Sequence, residues 1–420
     1  MLIRFEVENF ASINEKQTLN MEPAAYSDKK ETNSFLWKNE YEELRLLNTT
    51  AIYGPNASGK SNFLFALTTM RKIIGRSAQS QAGDKLTYKP FKLSSKSEHS
   101  PTEFEVEFIK DNVRYLYGFT YNAERILSEW LFAYPKKKAQ KWFLRIWDGE
   151  GYQWDLGRSL TGEKQTWLNS TSENTLFLSR AVQLNSVQLK PVFDWFVGEV
   201  AIAGVDGWSN RFTAKKCDDE EEKLKIIAFM KDVDIQVDDI VIEKEEIAID
   251  KLPDELPSAI KSKILEKLSG EVVLETKFLR KRDDGSPVIF ELKEESDGTQ
   301  RFYSFAGPWL DALKNGRVLF VDELNSNLHP LLVKHMVDLF HCKKSNPNNA
   351  QLVFTTHETS ILNQSVFRRD QIWFMQKNNM SESELYSLAD FKVRKDCDNL
   401  EEKYLSGSFG ATPFISWSDC

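Results

Sequence analysis

Hydrophobic and polar positions alternate at the start of the chain. Ile3, Phe5 and Val7 are separated by charged residues, which is the two-residue period of a half-buried strand. Residues 17–21 predict a second strand, so the chain is expected to open with a strand pair. The stretch 27–43 is polar and is predicted to be a loop.

Four further stretches complete this pattern. The apolar run 46–53 leads into a glycine-rich segment, and apolar residues then recur at helical spacing over 62–74. Residues 102–155 alternate in several short runs, as in an antiparallel meander. Buried strands alternate with helices over 317–377, which is typical of α/β proteins. We therefore predict an α/β fold with an antiparallel β subdomain.

The middle of the chain has a different character. It is more polar and mainly helical in pattern, with an acidic run at residues 218–222. A hairpin from Val272 to Leu292 is predicted after it, around the turn Asp284-Gly285. The predicted segments are a first head segment at 1–160, a helical insertion lobe at 161–270 and a second head segment at 271–420.

Composition and charge narrow the function classes. The 420 residues are 41% hydrophobic and 28% charged, as in ordinary globular proteins. The net charge of −8 argues against a main role in coating DNA, because nucleic-acid binders usually carry a basic footprint. No apolar stretch approaches the roughly 18 residues of a membrane span, and no signal peptide is predicted. A reducing cytoplasm fits the scattered cysteines Cys217, Cys342, Cys397 and Cys420.

The strongest chemical signal is the segment Gly54–Ser61, which matches the phosphate-binding pattern G-x-x-x-x-G-K-[ST]. Its glycines allow backbone N–H groups to turn toward a β-phosphate, and the following helix adds the positive end of its dipole. Lys60 is expected to reach the β- and γ-phosphates, and Ser61 to offer its hydroxyl to Mg²⁺. The alternative is a structural glycine turn. The predicted ATP-binding residues are Gly54, Asn56, Ala57, Ser58, Gly59, Lys60, Ser61 and Asn62.

Two apolar runs farther along the chain end in polar residues. Asp322 and Glu323 follow the run 318–321, at the strand end where α/β sheets bind ligands. Asp322 is predicted to hold Mg²⁺, and Glu323 to act as the general base for the attacking water. His357 follows the next apolar run and is predicted to sense the γ-phosphate. Taken alone, an acidic pair or a histidine after an apolar strand often has only a structural role. The predicted catalytic residues are Glu323, His357 and Lys60.

A fourth motif precedes the acidic pair. Ser296 is a good N-cap, and the chain from Thr299 onward is amphipathic, with a possible kink at Gly307-Pro308. A helix start that contains Ser296 and Gly298 exposes N–H groups to an anion. Taken alone, the segment would be an ordinary capped helix.

These four motifs, in this order, resemble the ABC-type ATPases of the AAA family, in the branch of RecF, the structural-maintenance-of-chromosomes proteins and the overcoming-lysogenisation-defect ATPases. The resemblance also covers Asn9–Ser12 and the run Asp322–Pro330. It implies an ABC-type ATPase head that uses ATP and Mg²⁺. It also implies a head-to-tail homodimer in which Ser296, Gly298 and Gln300 of one subunit close over ATP held by the other.

This sequence departs from the branch at three positions. Asp297 and Gln300 replace residues that are commoner in the signature, and Asn325 stands where an acid is frequent. The glutamine that senses Mg²⁺ in the family is not identified. None of these departures removes a catalytic group, although they are compatible with slow turnover.

A narrower likeness is to the RloA and AbiL type of bacterial anti-phage ATPase, with AriA of the PARIS system more distant. It rests on Thr175–Ser179, on the strand that contains Glu129 and on the tail Tyr404–Pro413, all of which could equally be packing residues. It implies a separate effector, a RloB-like or TOPRIM-type nuclease. The alternatives are a RecF-like DNA repair clamp and an ATP-dependent scaffold with negligible turnover. The basic clusters 136–138 and 280–282 leave a nucleic-acid contact open.

Overall fold

The computed structural model describes residues 1–246, 272–394 and 398–413. Part of the predicted insertion lobe lies outside these residues, as do Cys397 and Cys420. The chain forms two compact units. Unit 1 consists of Met1–Val205, Ala312–Ser326 and Val333–Cys420, and unit 2 of Asp206–Asp311 and Asn327–Leu332.

The helices and strands follow in chain order. Residues 1–205 contain β1 (Leu2–Glu8), β2 (Gln17–Asn20), β3 (Ser34–Lys38), β4 (Glu43–Leu47), β5 (Thr49–Tyr53), α1 (Lys60–Arg76), β6 (Thr102–Lys110), β7 (Val113–Tyr121), β8 (Ile126–Tyr134), β9 (Gln140–Trp147), β10 (Tyr152–Leu156), α2 (Lys164–Asn169), α3 (Phe177–Gln183), α4 (Lys190–Asp194) and β11 (Val200–Ala203). After them come α5 (Asn210–Lys216), α6 (Glu220–Lys231), β12 (Asp239–Glu246), β13 (Val272–Lys281), β14 (Pro287–Glu291) and α7 (Asp297–Asn315). The last are β15 (Val318–Val321), α8 (Pro330–His341), β16 (Gln351–Thr355), β17 (Ile372–Lys377), β18 (Ser383–Ser387) and α9 (Leu400–Leu405).

Two large sheets build unit 1. The first has the order β10-β9-β8-β7-β6-β1-β2 and is antiparallel, so the predicted strand pair and meander join in one sheet. The second has the order β11-β15-β16-β5-β17-β18, and all its strands are parallel except β18. The predicted α/β fold with an antiparallel β subdomain is confirmed.

One loop prediction is wrong. Within the stretch 27–43, β3 forms an antiparallel hairpin with β4. Phe35 and Trp37 are buried, whereas Leu36 and Lys38 are exposed, which is strand alternation. The signal covers only five residues, and the polar residues on both sides of it obscured it.

The helices that follow the meander belong to unit 1. Trp167, Phe177 and Val192 are buried in the same hydrophobic core as α1 and the antiparallel sheet. The Phe177 and Phe143 rings lie 4.8 Å apart. Because α2, α3 and α4 bury their apolar side chains in this core, the first compact unit extends to Val205 and not to residue 160.

A buried ion pair joins the meander to α3. The Glu129 carboxylate accepts hydrogen bonds from the backbone N–H groups of Phe177 (2.7 Å) and Leu178 (3.0 Å) and lies 3.4 Å from Arg145 Nε. Tyr117 Oη donates to the same carboxylate at 3.0 Å. Burial raises the pKa of Glu129, and Arg145 opposes that rise. Glu129 and the segment 175–179, two of the features on which the likeness to RloA and AbiL rests, are thus in contact and stabilise the fold.

Unit 2 contains the three-stranded sheet β12-β13-β14, which confirms the hairpin predicted at 272–292. The first part of α7 packs within this unit, where the Phe302 ring stacks on Phe229 at 4.9 Å and Tyr303 meets Phe278 at 5.3 Å. No helix in the described parts of the chain is long and apolar enough to cross a membrane.

Candidate functional site

The phosphate-binding segment lies between β5 and α1 of unit 1, as the sequence predicted. All five residues of β5 are buried. Gly54 and Gly59 have φ angles of +154° and +111°, which side chains with a Cβ rarely adopt. A Cβ on Gly59 would lie 2.1 Å from Ser383 Oγ, and one on Gly54 would lie 2.1 Å from Met375 O. Both glycines are therefore required by conformation and by space.

Lys60 begins α1 and is buried, with 5% of its surface exposed. Its Nζ donates to the carbonyl oxygens of Gly54 (2.7 Å) and Pro55 (3.1 Å). Burial lowers the pKa of Lys60 from its ordinary value of 10.5 to about 8, although Asp322 and Glu323 act in the opposite direction. The ammonium group is thus held at the loop by carbonyl contacts that phosphate oxygens can replace.

The acidic pair follows β15, which is two strands away from β5 in the parallel sheet. Thr355 Oγ1 donates to Asp322 Oδ1 at 2.6 Å and accepts from the backbone N–H of Glu323 at 2.8 Å. Glu323 has a left-handed φ of +49°, and its Oε2 accepts from Ser326 Oγ at 3.0 Å. One threonine at the end of β16 therefore orients both acids.

His357 follows β16, the strand between β5 and β15. Its backbone N–H donates to Asn325 Oδ1 at 3.2 Å, and Thr356 Oγ1 donates to the same oxygen at 3.0 Å. Burial lowers the pKa of His357, with Lys60 acting in the same direction and Glu323 against it. Asn325 thus anchors the segment that contains His357.

The three predicted elements converge because parallel strands place their carboxyl ends at one edge of a sheet. In the order β15-β16-β5, the acids, the histidine and the phosphate loop occupy neighbouring strand ends. A cavity of about 600 Å³ lies against the loop. It is lined by Gly54, Pro55, Asn56, Ala57, Ser58, His357, Thr359, Gln376, Lys377, Tyr404, Leu405, Ala411, Thr412 and Pro413.

The residues at this edge fit a nucleotide with its metal. Ser58 Oγ is buried and has no hydrogen-bond partner among the described residues, so a phosphate oxygen could supply one. Ser61 and Asp322 are oxygen donors of the kind Mg²⁺ prefers. Within the described residues no group of three or more His, Cys, Asp or Glu side chains could hold a metal ion.

The signature-like residues lie in unit 2 at the start of α7. The backbone N–H of Thr299 donates to Ser296 Oγ at 3.2 Å, which is the expected N-cap, and Gln300 Nε2 donates to Glu295 O at 2.8 Å. A Cβ on Gly298 would lie 2.8 Å from Asn327 O. The segment is a capped helix start that requires glycine.

Sequence reasoning missed several residues around the loop. Thr355 and Ser383 act through residues distant in the chain, and no local pattern marks them. Asn325 was noted only as a departure from related sequences, and its contact with His357 was not predicted. The sequence of the tail Tyr404–Pro413 indicated only a likeness to other proteins. Its glycines and aromatic residues were the available signal, but they did not indicate which surface the tail would meet.

The comparisons with known proteins bear on this site. The chain matches the family described as "AAA domain, putative AbiEii toxin, Type IV TA system" over residues 49–192 and 205–363, more than two thirds of its length. The chain belongs to this AAA-domain family. The two matched segments contain the phosphate loop, the signature-like residues, the acidic pair and His357. No curated protein matches the sequence.

Several solved structures are similar to this chain. One is an SMC head bound to the C-winged helix domain of ScpA (13% identity, 92% of this chain and 97% of that chain, TM-score 0.43). Another is the SMC head domain from Thermotoga maritima (12% identity, 93% and 99%, TM-score 0.40). A third is the recombination mediator RecF with ATP (14% identity, 86% and 94%, TM-score 0.34). At these scores the likeness adds nothing to the assignment of the site, which is based on the strand order and the contacts described above.

Proposed function

We propose that the chain binds ATP with Mg²⁺ and hydrolyses it. The observation that carries the proposal is the convergence of the phosphate loop, Asp322, Glu323 and His357 at the adjacent carboxyl ends of β5, β15 and β16. Phosphate-binding loops of P-loop ATPases work with an acid at a neighbouring strand end. The match to the AAA-domain family supports the same activity.

Each residue has a definite part in this proposal. Lys60 leaves the carbonyls of Gly54 and Pro55 to bind the β- and γ-phosphates. Ser61 and Asp322 hold Mg²⁺, which when bound neutralises charge on the phosphates. Glu323 accepts a proton from the attacking water. His357, with its lowered pKa, remains neutral at physiological pH and positions that water.

The active form is proposed to be a head-to-tail homodimer. The N-terminus of α7 offers backbone N–H groups and the hydroxyl of Ser296, which is exposed, to an anion. In the dimer, Ser296, Gly298 and Gln300 of one subunit would face the γ-phosphate that the phosphate loop of the other subunit holds. ATP binding would then favour the closed dimer and hydrolysis the open one.

The cellular role we propose is that of a cytoplasmic ATPase of an anti-phage system that controls a separate nuclease or toxin. The likeness to RloA and AbiL supports this role, and the family description, which refers to a putative toxin of a type IV toxin–antitoxin system, supports a link to such systems. An ATP-driven dimer provides a two-state switch that can hold or release an effector. Coexpression with the product of the adjacent gene, followed by copurification with and without ATP, would test this role.

The ATPase proposal is tested by phosphate release from the purified chain. Lys60→Ala should abolish turnover, whereas Lys72→Ala, an exposed lysine on the same helix, should leave it unchanged. Glu323→Gln should lose turnover but retain ATP and accumulate as a dimer in size-exclusion chromatography. Unchanged turnover in Lys60→Ala would refute the proposal, and unchanged turnover in Glu323→Gln would exclude that residue as the base.

The dimer is tested by mixing two inactive variants. Lys60→Ala lacks a working phosphate loop, and Ser296→Arg blocks the signature-like surface. In a mixed dimer one of the two composite sites is intact. Half of the dimers are mixed, so the mixture should regain about a quarter of wild-type turnover. A mixture that stays inactive, or Ser296→Arg with wild-type activity, would contradict the head-to-tail arrangement.

A further inference from the structure

The tail Tyr404–Pro413 forms a wall of the cavity beside the phosphate loop. The cavity is lined by residues 54–58 of the phosphate loop and by Tyr404, Leu405 and residues 411–413 of the tail. All of these residues belong to unit 1. The end of the described chain thus lies next to the residues that mark the nucleotide site.

Hydrogen bonds fix the tail in this place. Tyr404 Oη donates to Ala411 O at 2.9 Å, which closes the tail into a loop. The backbone N–H of Ala411 donates to Gln376 Oε1 at 3.2 Å, and Tyr386 Oη donates to the carbonyl of Phe409 at 2.8 Å. The loop is therefore attached to β17, which lies beside β5, and to the edge strand β18, which pairs with β17.

The tail also packs on an aromatic layer. The Phe374 ring stacks on Tyr404 at 5.5 Å and on Phe409 at 5.6 Å, with interplanar angles of 14° and 23°. Gly410 has a φ of +69°, and a Cβ there would lie 2.8 Å from both Gln376 Oε1 and Tyr386 Oη. This packing makes the tail a formed part of unit 1 and gives it one defined position against the loop.

A second connection runs from the tail helix α9 to the segment of His357. Thr359, two residues after His357, donates its hydroxyl to Glu401 Oε1 at 2.6 Å. Thr359 itself lines the cavity. The backbone of this segment is therefore held at both ends, by Asn325 at His357 and by Glu401 at Thr359.

The composition of the cavity wall favours an anion. No Asp or Glu is among the described residues that line it, whereas Lys377, His357 and several hydroxyl groups are. The lining includes the first half of the phosphate loop and His357, but not Ser61 or Asn62. The proposed function assigns His357 to the γ-phosphate, so a nucleotide bound in this way would have its terminal phosphate beside the tail.

We propose that the tail Tyr404–Pro413 completes the binding site for the terminal phosphate of ATP, and that it makes the site prefer nucleoside triphosphate to diphosphate. This inference rests on the proposed function. Tyr404 is a positioning residue, because its hydroxyl holds the loop through Ala411 O and its ring supports the cavity wall. Thr412 is placed to offer a hydroxyl to the ligand.

Calorimetry on the full chain with MgCl₂ tests the proposal, with ADP and a non-hydrolysable ATP analogue as the two ligands. Tyr404→Phe removes the bond to Ala411 O and keeps the ring, and Gly410→Ala displaces the tail. Affinity for the ATP analogue should fall about three- to tenfold in Tyr404→Phe, as expected for one lost hydrogen bond, and affinity for ADP less than about twofold. Tyr152→Phe, which loses a comparable bond to Ile126 O in the meander, is the matched control.

The outcomes separate this inference from the function it rests on. If both ligands lose affinity equally in Tyr404→Phe, or neither does, the tail does not bind the terminal phosphate, whatever Gly410→Ala does to folding. If the wild-type chain binds neither ligand, or Lys60→Ala binds both like the wild type, the proposed function itself is wrong. A selective loss for the ATP analogue in Tyr404→Phe, with Tyr152→Phe unchanged, supports the inference.

Discussion

The buried position of Lys60 predicts how ATP binding depends on pH. With its pKa at about 8, Lys60 begins to lose its charge within the range where ordinary lysines are fully protonated. The neutral amine attracts the phosphates weakly, so ATP binds mainly to those free protein molecules in which Lys60 is protonated. The apparent dissociation constant therefore rises with the factor 1 + 10^(pH − pKa), which makes it about eightfold higher at pH 9 than at pH 7.5.

Fluorescence titration with a labelled ATP analogue between pH 7.5 and pH 9 would measure this dependence, since the terminal phosphate is fully ionised throughout that range. Lys60→Arg is the matched variant, because a guanidinium stays charged at these pH values. The variant should bind less tightly at pH 7.5 but show little further loss up to pH 9. A wild-type affinity that is constant from pH 7.5 to pH 9, or a variant with the same pH dependence, would refute the reasoning.

Three further predictions concern stability. His341 is buried, with its Nε2 2.8 Å from Thr49 Oγ1, and burial lowers its pKa from 6.5 to about 3. Because only the unfolded chain takes up a proton, the free energy of unfolding should fall by about 2 kcal/mol by pH 5. His341→Gln should remove this component of acid sensitivity. Glu129→Gln leaves its buried arginine partner without a counter-charge and should cost about 3–5 kcal/mol in urea unfolding. An alanine with a left-handed φ costs roughly 1–3 kcal/mol of stability, and Gly149→Ala, at a φ of +106° and without a clash, should show this cost alone. Gly59→Ala should destabilise the chain by more than that, because its Cβ also clashes with Ser383.

Each of these has an outcome that would contradict it. The native pKa of His341 would not be lowered if wild type and His341→Gln lost stability in parallel between pH 7 and pH 5. A Glu129→Gln variant as stable as the wild type would show that Arg145 finds another partner or water. Equal costs in Gly59→Ala and Gly149→Ala would mean that Ser383 moves aside freely.

The sequence by itself determined the local elements and the chemical motifs. Strands β1, β5, β15 and β16 were predicted because alternation and short apolar runs depend only on neighbouring residues. The segment Gly54–Ser61 was recognised for the same reason, since glycine conformation and helix start are local properties. The hairpin β3-β4 was missed, because a five-residue signal within polar sequence is too short to stand out.

Only the tertiary structure decided which of these elements meet. In the order β15-β16-β5-β17, strand β5 pairs with β16 and β17, which lie hundreds of residues later in the chain, and this pairing brings Asp322 and His357 to the phosphate loop. The contacts of Asn325 with His357 and of Tyr404 with Ala411 fix the finer geometry. A sequence pattern specifies which face of a strand is buried, but hydrogen bonds between distant strands specify its neighbours. The tail therefore became part of the candidate site only once its position beside β17 was known.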